Sequence, residues 1–266
     1  MKIKQALFIG IISTSTVTMA FSGDYEPRCS NPQTHQDYLA KAKAGNIDIA
    51  HFGGSFTYGW EHSPNGKKLW PTLCPSLKSA QFGLPGEASW GILWRLQNGE
   101  LDGFKAKVVV LFSIGGNDVR GKGAPAEVTI KNTQMCIDEV RKHQPQASIL
   151  IVPIPDMPTV TAILKPTNSA NGQYNVFSVV NKATAAMADN KQVFYLKAFQ
   201  DGLDSKSAEL AEEMKKIMSG PKKDPHDTKI MYDLAAAGIH DALEDILAHR
   251  SPVRGATDTS TASAAK

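Results

Sequence analysis

The sequence predicts one α/β domain built on a mainly parallel sheet. Short apolar runs rich in β-branched residues recur along the chain, and such runs are typical of strands that are buried on both faces. Between them lie longer segments with apolar residues at helical spacing. Strands that alternate with helices predict a parallel sheet covered by helices. A chain of 266 residues without an internal repeat favours one domain over two.

The predicted elements follow this alternation in order. The apolar runs predict strands at 46–53, 107–114, 148–155 and 192–196. The second run, KVVVLFSI, is the clearest, since it is almost continuously apolar. The helical spacing predicts helices at 35–43, 87–99, 126–143, 176–188, 205–219 and 228–249.

The first twenty residues predict a secretory signal. Lys2 and Lys4 precede a mostly apolar stretch at 6–19, and Thr18 and Ala20 are small residues where a signal peptidase reads. The stretch is shorter than the ~20 residues that span a bilayer. We therefore expect signal removal, no stable membrane anchor, and export to the periplasm or the outside of the cell.

The rest of the chain is expected to be a domain at 21–250 and a disordered tail at 251–266, which is rich in Ser, Thr and Ala. A net charge of +3 without a run of like charges argues against a nucleic-acid groove. No Cys/His spacing predicts a metal, and no cofactor is expected. Cys29 and Cys74 could form a disulfide, with Cys136 as a buried thiol, or all three could be free.

Three polar motifs lie where ligands bind to parallel sheets, at or near the carboxyl ends of strands. Ser55 follows the first predicted strand, Asn117 follows the second, and His226 precedes the last helix beside Asp224. A serine at a helix start can act as a nucleophile, a histidine beside an acid as a general base. Each motif also has an ordinary explanation, as a helix cap or a turn. The other six histidines lie within predicted elements or polar segments and are weaker candidates.

Four blocks in this order resemble the SGNH (GDSL-like) hydrolase family, in particular its platelet-activating-factor acetylhydrolase-like branch. They are similar to the family's GDS block, glycine block, GxND block and catalytic-histidine run. The blocks are GGSFTYGW (53–60), QFGLPG with GILWRLQNGEL (81–86 and 91–101), GGND (115–118), and His226 with Thr228 and Tyr232.

The resemblance implies a flavodoxin-like three-layer α/β/α sandwich with a five-stranded parallel sheet. It implies Ser55 as nucleophile and His226 as general base. It also implies an oxyanion hole made by the backbone N–H groups of Ser55 and Gly86 and the side chain of Asn117.

The sequence departs from the family at two positions. Gly54 stands where the family usually has Asp, and Lys223 stands where it has the acid of the triad. We predict that Asp224 orients His226, with Asp227 as the alternative and a dyad without a carboxylate as a third arrangement.

The expected function is an esterase that removes acyl groups, with acetyl favoured, from a secreted or cell-envelope carbohydrate or another small ester. Trp60, His62 and Trp70 could line a sugar cleft, or lie in the core. Two other functions remain open: an O-acyltransferase acting on an exported polysaccharide, and a degenerate domain that binds a carbohydrate or a partner.

Overall fold

The computed structural model describes residues 25–158 and 170–250. The predicted signal at 1–20 and tail at 251–266 lie outside these residues. Five strands form one sheet in the order β2-β1-β3-β4-β5, and every neighbouring pair is parallel. The strands are Ile49–Gly53 (β1), Ser79–Gly83 (β2), Val108–Phe112 (β3), Ser148–Val152 (β4) and Val193–Tyr195 (β5).

Helices cover both faces of the sheet. In chain order they are Pro32–Lys43 (α1), Ser55–His62 (α2), Pro64–Leu69 (α3), Ser89–Arg95 (α4), Gly116–Lys122 (α5), Ala126–His143 (α6), Ala170–Ala185 (α7), Lys197–Ser205 (α8), Ser207–Ser219 (α9) and Lys229–Arg250 (α10). The arrangement confirms the predicted three-layer α/β/α sandwich with a five-stranded parallel sheet.

Alternate residues of each strand pack in two different apolar layers, because successive side chains of a strand point to opposite faces of the sheet. Phe52 of β1 packs in the first layer, with residues of α1, α4 and α6. Ile49 packs in the second layer, with residues of α2, α8, α9 and α10. All five residues of β1, β3 and β4 are buried, which explains their nearly continuous apolar sequences.

The strands predicted at 46–53, 107–114, 148–155 and 192–196 are confirmed, each with shorter bounds. Strand β2 is missing from the sequence prediction, because Ser79 and Gln81 interrupt its apolar pattern. Its buried Gln81 accepts a hydrogen bond from the Gly83 N–H at 2.7 Å and donates one to Glu61 at 3.0 Å. These contacts satisfy a polar side chain inside the sheet.

Three helix predictions differ from the structure. The helix predicted at 176–188 begins and ends earlier, as Ala170–Ala185. The helix predicted at 87–99 ends at Arg95 and continues as a π-helical turn, Leu96–Glu100, that is kinked at Gly99 with φ of 99°. The helix predicted at 205–219 begins at Ser207, and the separate helix α8 precedes it.

The three cysteines are free thiols, so the Cys29–Cys74 disulfide considered above is absent from the structure. Cys136 is buried in α6, as predicted. Within residues 25–158 and 170–250, no helix has both the length and the apolar character needed to span a bilayer.

Candidate active site

The site lies where the chain order of the sheet reverses. From β1 the chain goes to β2 on one side, whereas β3, β4 and β5 follow on the other. Such a reversal leaves a crevice outside the carboxyl ends of the two central strands. Gly53 ends β1 and Phe112 ends β3, so Ser55 and Asn117 enter this crevice shortly after their strands.

Ser55 is the first residue of helix α2. Gly54 occupies the N-cap position, so the structure does not support the explanation of Ser55 as a capping residue. The first backbone N–H groups of a helix have no partner within it and favour negative charge nearby. The absence of a side chain at Gly54 also leaves room for Asn117, because a Cβ at position 54 would lie only 3.2 Å from Nδ2 of Asn117.

A tight turn places Gly86 beside this helix start. The N–H of Glu87 donates to the carbonyl of Leu84 at 3.2 Å, and Gly86 between them has φ of 73°. A proline followed by a residue with positive φ is typical of a type II turn, and Pro85 holds the first of these positions. The N–H of Leu84 donates to the Gly53 carbonyl at 3.2 Å, which ties the turn to the end of β1.

Asn117 is held against the same turn. Its Nδ2 donates to the carbonyl of Glu87 at 2.9 Å. Since a side-chain amide has two N–H groups, the second remains available to the cleft. The carbonyl of Glu87 thus fixes the orientation of a predicted oxyanion donor.

A buried ionic network lies behind the turn. Arg95 is 1% exposed and donates to Oε2 of Glu87 from Nε at 2.8 Å and from Nη2 at 2.5 Å. Its Nη1 donates to Oε2 of Glu100 at 2.5 Å, and Nδ1 of His35 lies 2.8 Å from Oε1 of Glu100. Burial would lower the pKa of Arg95, but the two carboxylates outweigh it and raise that pKa. Burial also raises the pKa of Glu100.

This network was not predicted from the sequence. Arg95 is 8 positions from Glu87 and 5 from Glu100, and His35 is 65 positions from Glu100. No local sequence pattern relates residues as far apart as the last pair. Arg95 also donates to the carbonyl of Phe82 in β2 at 3.1 Å. The network therefore connects the turn at Gly86 to the sheet and to helix α1.

Asp224 is the acid that reaches His226. Its Oδ1 lies 2.7 Å from Nδ1 of the ring and accepts the backbone N–H of His226 at 2.9 Å. Burial would raise the pKa of Asp224, but these two contacts and the charge of His226 lower it overall. Lys223 has φ of 47°, so the chain turns sharply where the family carries its acid. Among the acids weighed above, the geometry favours Asp224 over Asp227.

Two long-range contacts connect the chain around His226 to helices α2 and α3. The hydroxyl of Tyr232 donates to the Phe56 carbonyl at 3.3 Å and lies against Gly59, where a Cβ would be 1.8 Å from the hydroxyl oxygen. Nδ2 of Asn65 donates to the Asp227 carbonyl at 2.7 Å. The ring of Phe56 lies 5.1 Å from that of His226. These contacts hold two distant parts of the chain together.

Ser55, Asn117 and His226 line one cleft with a volume of about 200 Å³. Within the part of the chain that the structure describes, no hydrogen bond joins Ser55 to His226. Such contacts are often long in unliganded sites and shorten when substrate binds. A second serine, Ser113, also lines the cleft, and no pattern in the sequence singles it out. Its φ is 54°.

The aromatic residues considered for a sugar cleft lie elsewhere. Trp60 is fully buried between Trp70, Phe112 and Tyr232 in the second layer. His62 stacks on Tyr58 with ring centroids 3.6 Å apart. None of the three lines the cleft beside Ser55, and Trp60 lies in the core, which is the alternative left open above. In the part of the chain that the structure describes, no group of three or more metal-ligating side chains occurs.

The chain is similar to known proteins in sequence and in fold. Residues 51–215 match the model of the GDSL-like lipase/acylhydrolase family. Over 118 residues the chain is 27% identical to platelet-activating factor acetylhydrolase IB subunit alpha1 of Bos taurus and 32% identical to subunit alpha2 of Homo sapiens. These regions cover 44% of this chain and 47% and 48% of the relatives, so the matched part spans about half their length.

Among solved structures, a GDSL-like lipase from Bacteroides thetaiotaomicron is similar in fold. Its TM-score is 0.56 at 16% identity, and the match covers 79% of this chain and 97% of that one. The family match contains Ser55, Gly86 and Asn117 but ends before Asp224 and His226. The roles of these last two residues therefore rest on the geometry described above. Because the family model matches more than half of its residues, the chain belongs to the GDSL-like lipase/acylhydrolase family.

Proposed function

We propose that the protein is a serine esterase that forms an acyl-enzyme on Ser55. One observation carries the proposal: Ser55, Asn117 and His226 meet in one cleft although they come from three separate parts of the chain. The 2.7 Å contact between Asp224 and His226 supplies the group that would orient the base.

The proposed reaction has two halves. The Ser55 oxygen attacks the ester carbonyl while Nε2 of His226 takes its proton, and Asp224 holds the proton on Nδ1. The oxyanion accepts hydrogen bonds from the N–H groups of Ser55 and Gly86 and from Asn117. His226 then returns the proton to the departing alcohol, which leaves an acyl-enzyme. Water, activated by the same histidine, releases the carboxylic acid and restores Ser55.

Export and the natural substrate are separate proposals. The signal-like composition of residues 1–20 supports export, and we expect the exported protein to begin at Phe21. Mass spectrometry of protein recovered from outside the cytoplasm tests this expectation, which fails if residues 1–20 are retained. The proposed substrate is an acylated cell-envelope carbohydrate. This proposal rests on export alone, because the aromatic residues considered for sugar binding do not line the cleft.

A fluorophosphonate probe tests the nucleophile. The wild-type protein should become labelled on Ser55, and Ser55→Ala should not be labelled. Ser113→Gly is the matched control, because it removes the other serine hydroxyl of the cleft and suits the positive φ at that position. Labelling that persists in Ser55→Ala and disappears in Ser113→Gly would refute the proposal.

A further inference from the structure

The cleft beside Ser55 has an apolar wall. Of the lining residues, six carry large apolar side chains. They are Phe56, Phe112, Met157, Leu210, Met214 and Met231. They come from α2, the end of β3, the segment after β4, and helices α9 and α10. Polar side chains line the cleft as well: Ser55, Ser113, Asn117, Arg120 and His226.

Part of this wall is the surface of the second apolar layer. Leu210, Met214 and Met231 are 1%, 2% and 2% exposed and pack within that layer. They offer no strong hydrogen-bond partner to the hydroxyl groups of a sugar, and a polar group buried without a partner is disfavoured. An alkyl chain, in contrast, gains free energy with each methylene that leaves water.

The size of the cleft indicates how long such a chain would be. Its volume of about 200 Å³ exceeds the ~150 Å³ of an apolar cavity that admits the six carbons of benzene. An acetyl group, with a single methyl beyond the carbonyl, would fill only a small part of this volume. Methionine side chains are flexible and adapt to chains of different shape.

We infer that the cleft binds the acyl chain of the ester, and that it favours a chain of about six carbons over acetyl. The inference rests on the proposed esterase function and replaces the acetyl preference expected from the sequence. It places acyl selection on α9 and on Met157, outside the blocks that carry the family resemblance.

The test compares p-nitrophenyl acetate, butyrate, hexanoate, octanoate and decanoate as substrates of the full chain. A methylene that leaves water completely would raise kcat/KM about fourfold. Hexanoate has four more methylenes than acetate, and for partial burial we expect its kcat/KM to exceed that of acetate at least about tenfold. Beyond the length of the cleft it should stop rising. A maximum at acetate would overturn the inference.

Two variants locate the acyl chain. Met157→Trp fills the cleft from a half-buried position, and Met214→Trp fills it from α9. Each should lower the hexanoate-to-acetate ratio of kcat/KM about tenfold, because the longer chain no longer fits. Met157→Trp keeps the test available if the buried Met214 does not tolerate the larger ring.

Met218→Trp is the matched control, since Met218 is also half-buried and lies on α9 but does not line the cleft. Its ratio should equal that of the wild type. Variants that change both esters equally, or a control that changes the ratio as much, would contradict the inference. Failure of the esterase function itself is distinguishable, because then no ester is cleaved and the fluorophosphonate does not label Ser55.

Discussion

At the scale of single residues, the pair Asp224–His226 carries the clearest prediction. Asn at position 224 keeps the size of the side chain but removes the charge that stabilises a protonated imidazole. We expect Asp224→Asn to lower kcat roughly 100-fold, less than the ~10⁴ known for a buried triad acid. The Asp224 side chain is 49% exposed, so water replaces part of its effect. Steady-state kinetics with p-nitrophenyl hexanoate measures the loss.

Asp227→Asn is the control for this variant, because Asp227 is the alternative acid and follows the same histidine. It should change kcat less than about threefold, since the carboxylate that contacts His226 is that of Asp224 and exchanges of other surface residues usually have small effects. A larger loss in Asp227→Asn than in Asp224→Asn would show that the other carboxylate orients His226 during catalysis.

The pKa of Asp224 adds a dependence on pH. Because the folded protein lowers this pKa below 3.8, the pair stabilises the fold above that value, and the contribution is lost as pH falls through the folded pKa. The difference in free energy of unfolding between wild type and Asp224→Asn should therefore shrink below about pH 4. Urea unfolding at pH 7 and at pH 3 measures it, and a difference that grows in acid would contradict the assignment.

At the scale of elements, the proposed oxyanion hole depends on the turn at Gly86. A Cβ there would meet no atom within 4 Å, so Gly86→Ala is disfavoured only by the positive φ, by about 1–2 kcal/mol. If the chain relieves this by rotating the peptide, the N–H leaves the oxyanion position. We expect kcat to fall about tenfold or more.

Gly123→Ala is the matched control. Gly123 also has positive φ, of 65°, and open space around its Cβ, but it is the C-cap of α5 and lies outside the turn beside Ser55. Thermal unfolding should show similar destabilisation of the two variants, with kcat retained in Gly123→Ala alone. An equal loss of kcat in both variants would mean that the Gly86 N–H is not part of the oxyanion hole.

The ionic network behind this turn predicts a large effect on stability. Arg95→Met would leave the carboxylates of Glu87 and Glu100 buried without their cation, which costs about 3–5 kcal/mol. Arg141→Met removes a comparable contact, 3.0 Å to Asp189, between side chains that are 38% and 39% exposed, and should cost less than about 1 kcal/mol. Chemical unfolding compares the two. Similar losses would mean that Arg95 does not compensate the buried carboxylates.

The elements also show what the sequence could and could not predict. Strands β1, β3 and β4 were predictable because burial on both faces requires continuous apolar runs. The same strands located Ser55 and Asn117 at their carboxyl ends. Strand β2 was not predictable, because Gln81 is satisfied by Glu61, twenty positions away. Asp224 was predicted over Asp227 from its position beside His226, but the 2.7 Å contact that supports this choice depends on the turn of the backbone at Lys223.

At the scale of the whole molecule, both apolar layers pack on one sheet, so we expect them to unfold together. Ile137→Ala in α6 truncates the first layer, and Leu243→Ala in α10 truncates the second. Each should lower the free energy of unfolding by about 2–5 kcal/mol, because both side chains are at most 1% exposed.

Circular dichroism and tryptophan fluorescence should report a single, coincident transition for both variants. This behaviour tests the single domain predicted at 21–250. Two transitions, each shifted by only one of the two substitutions, would contradict it.

The central claim, that Ser55 carries the acyl group, is tested most directly by trapping that group. The protein is mixed with p-nitrophenyl hexanoate, quenched with acid during turnover, digested and mapped by mass spectrometry. We predict a hexanoyl adduct on the peptide that contains Ser55, and no adduct in Ser55→Ala. An adduct on another residue of the cleft, such as Ser113, or continued turnover by Ser55→Ala would contradict the account.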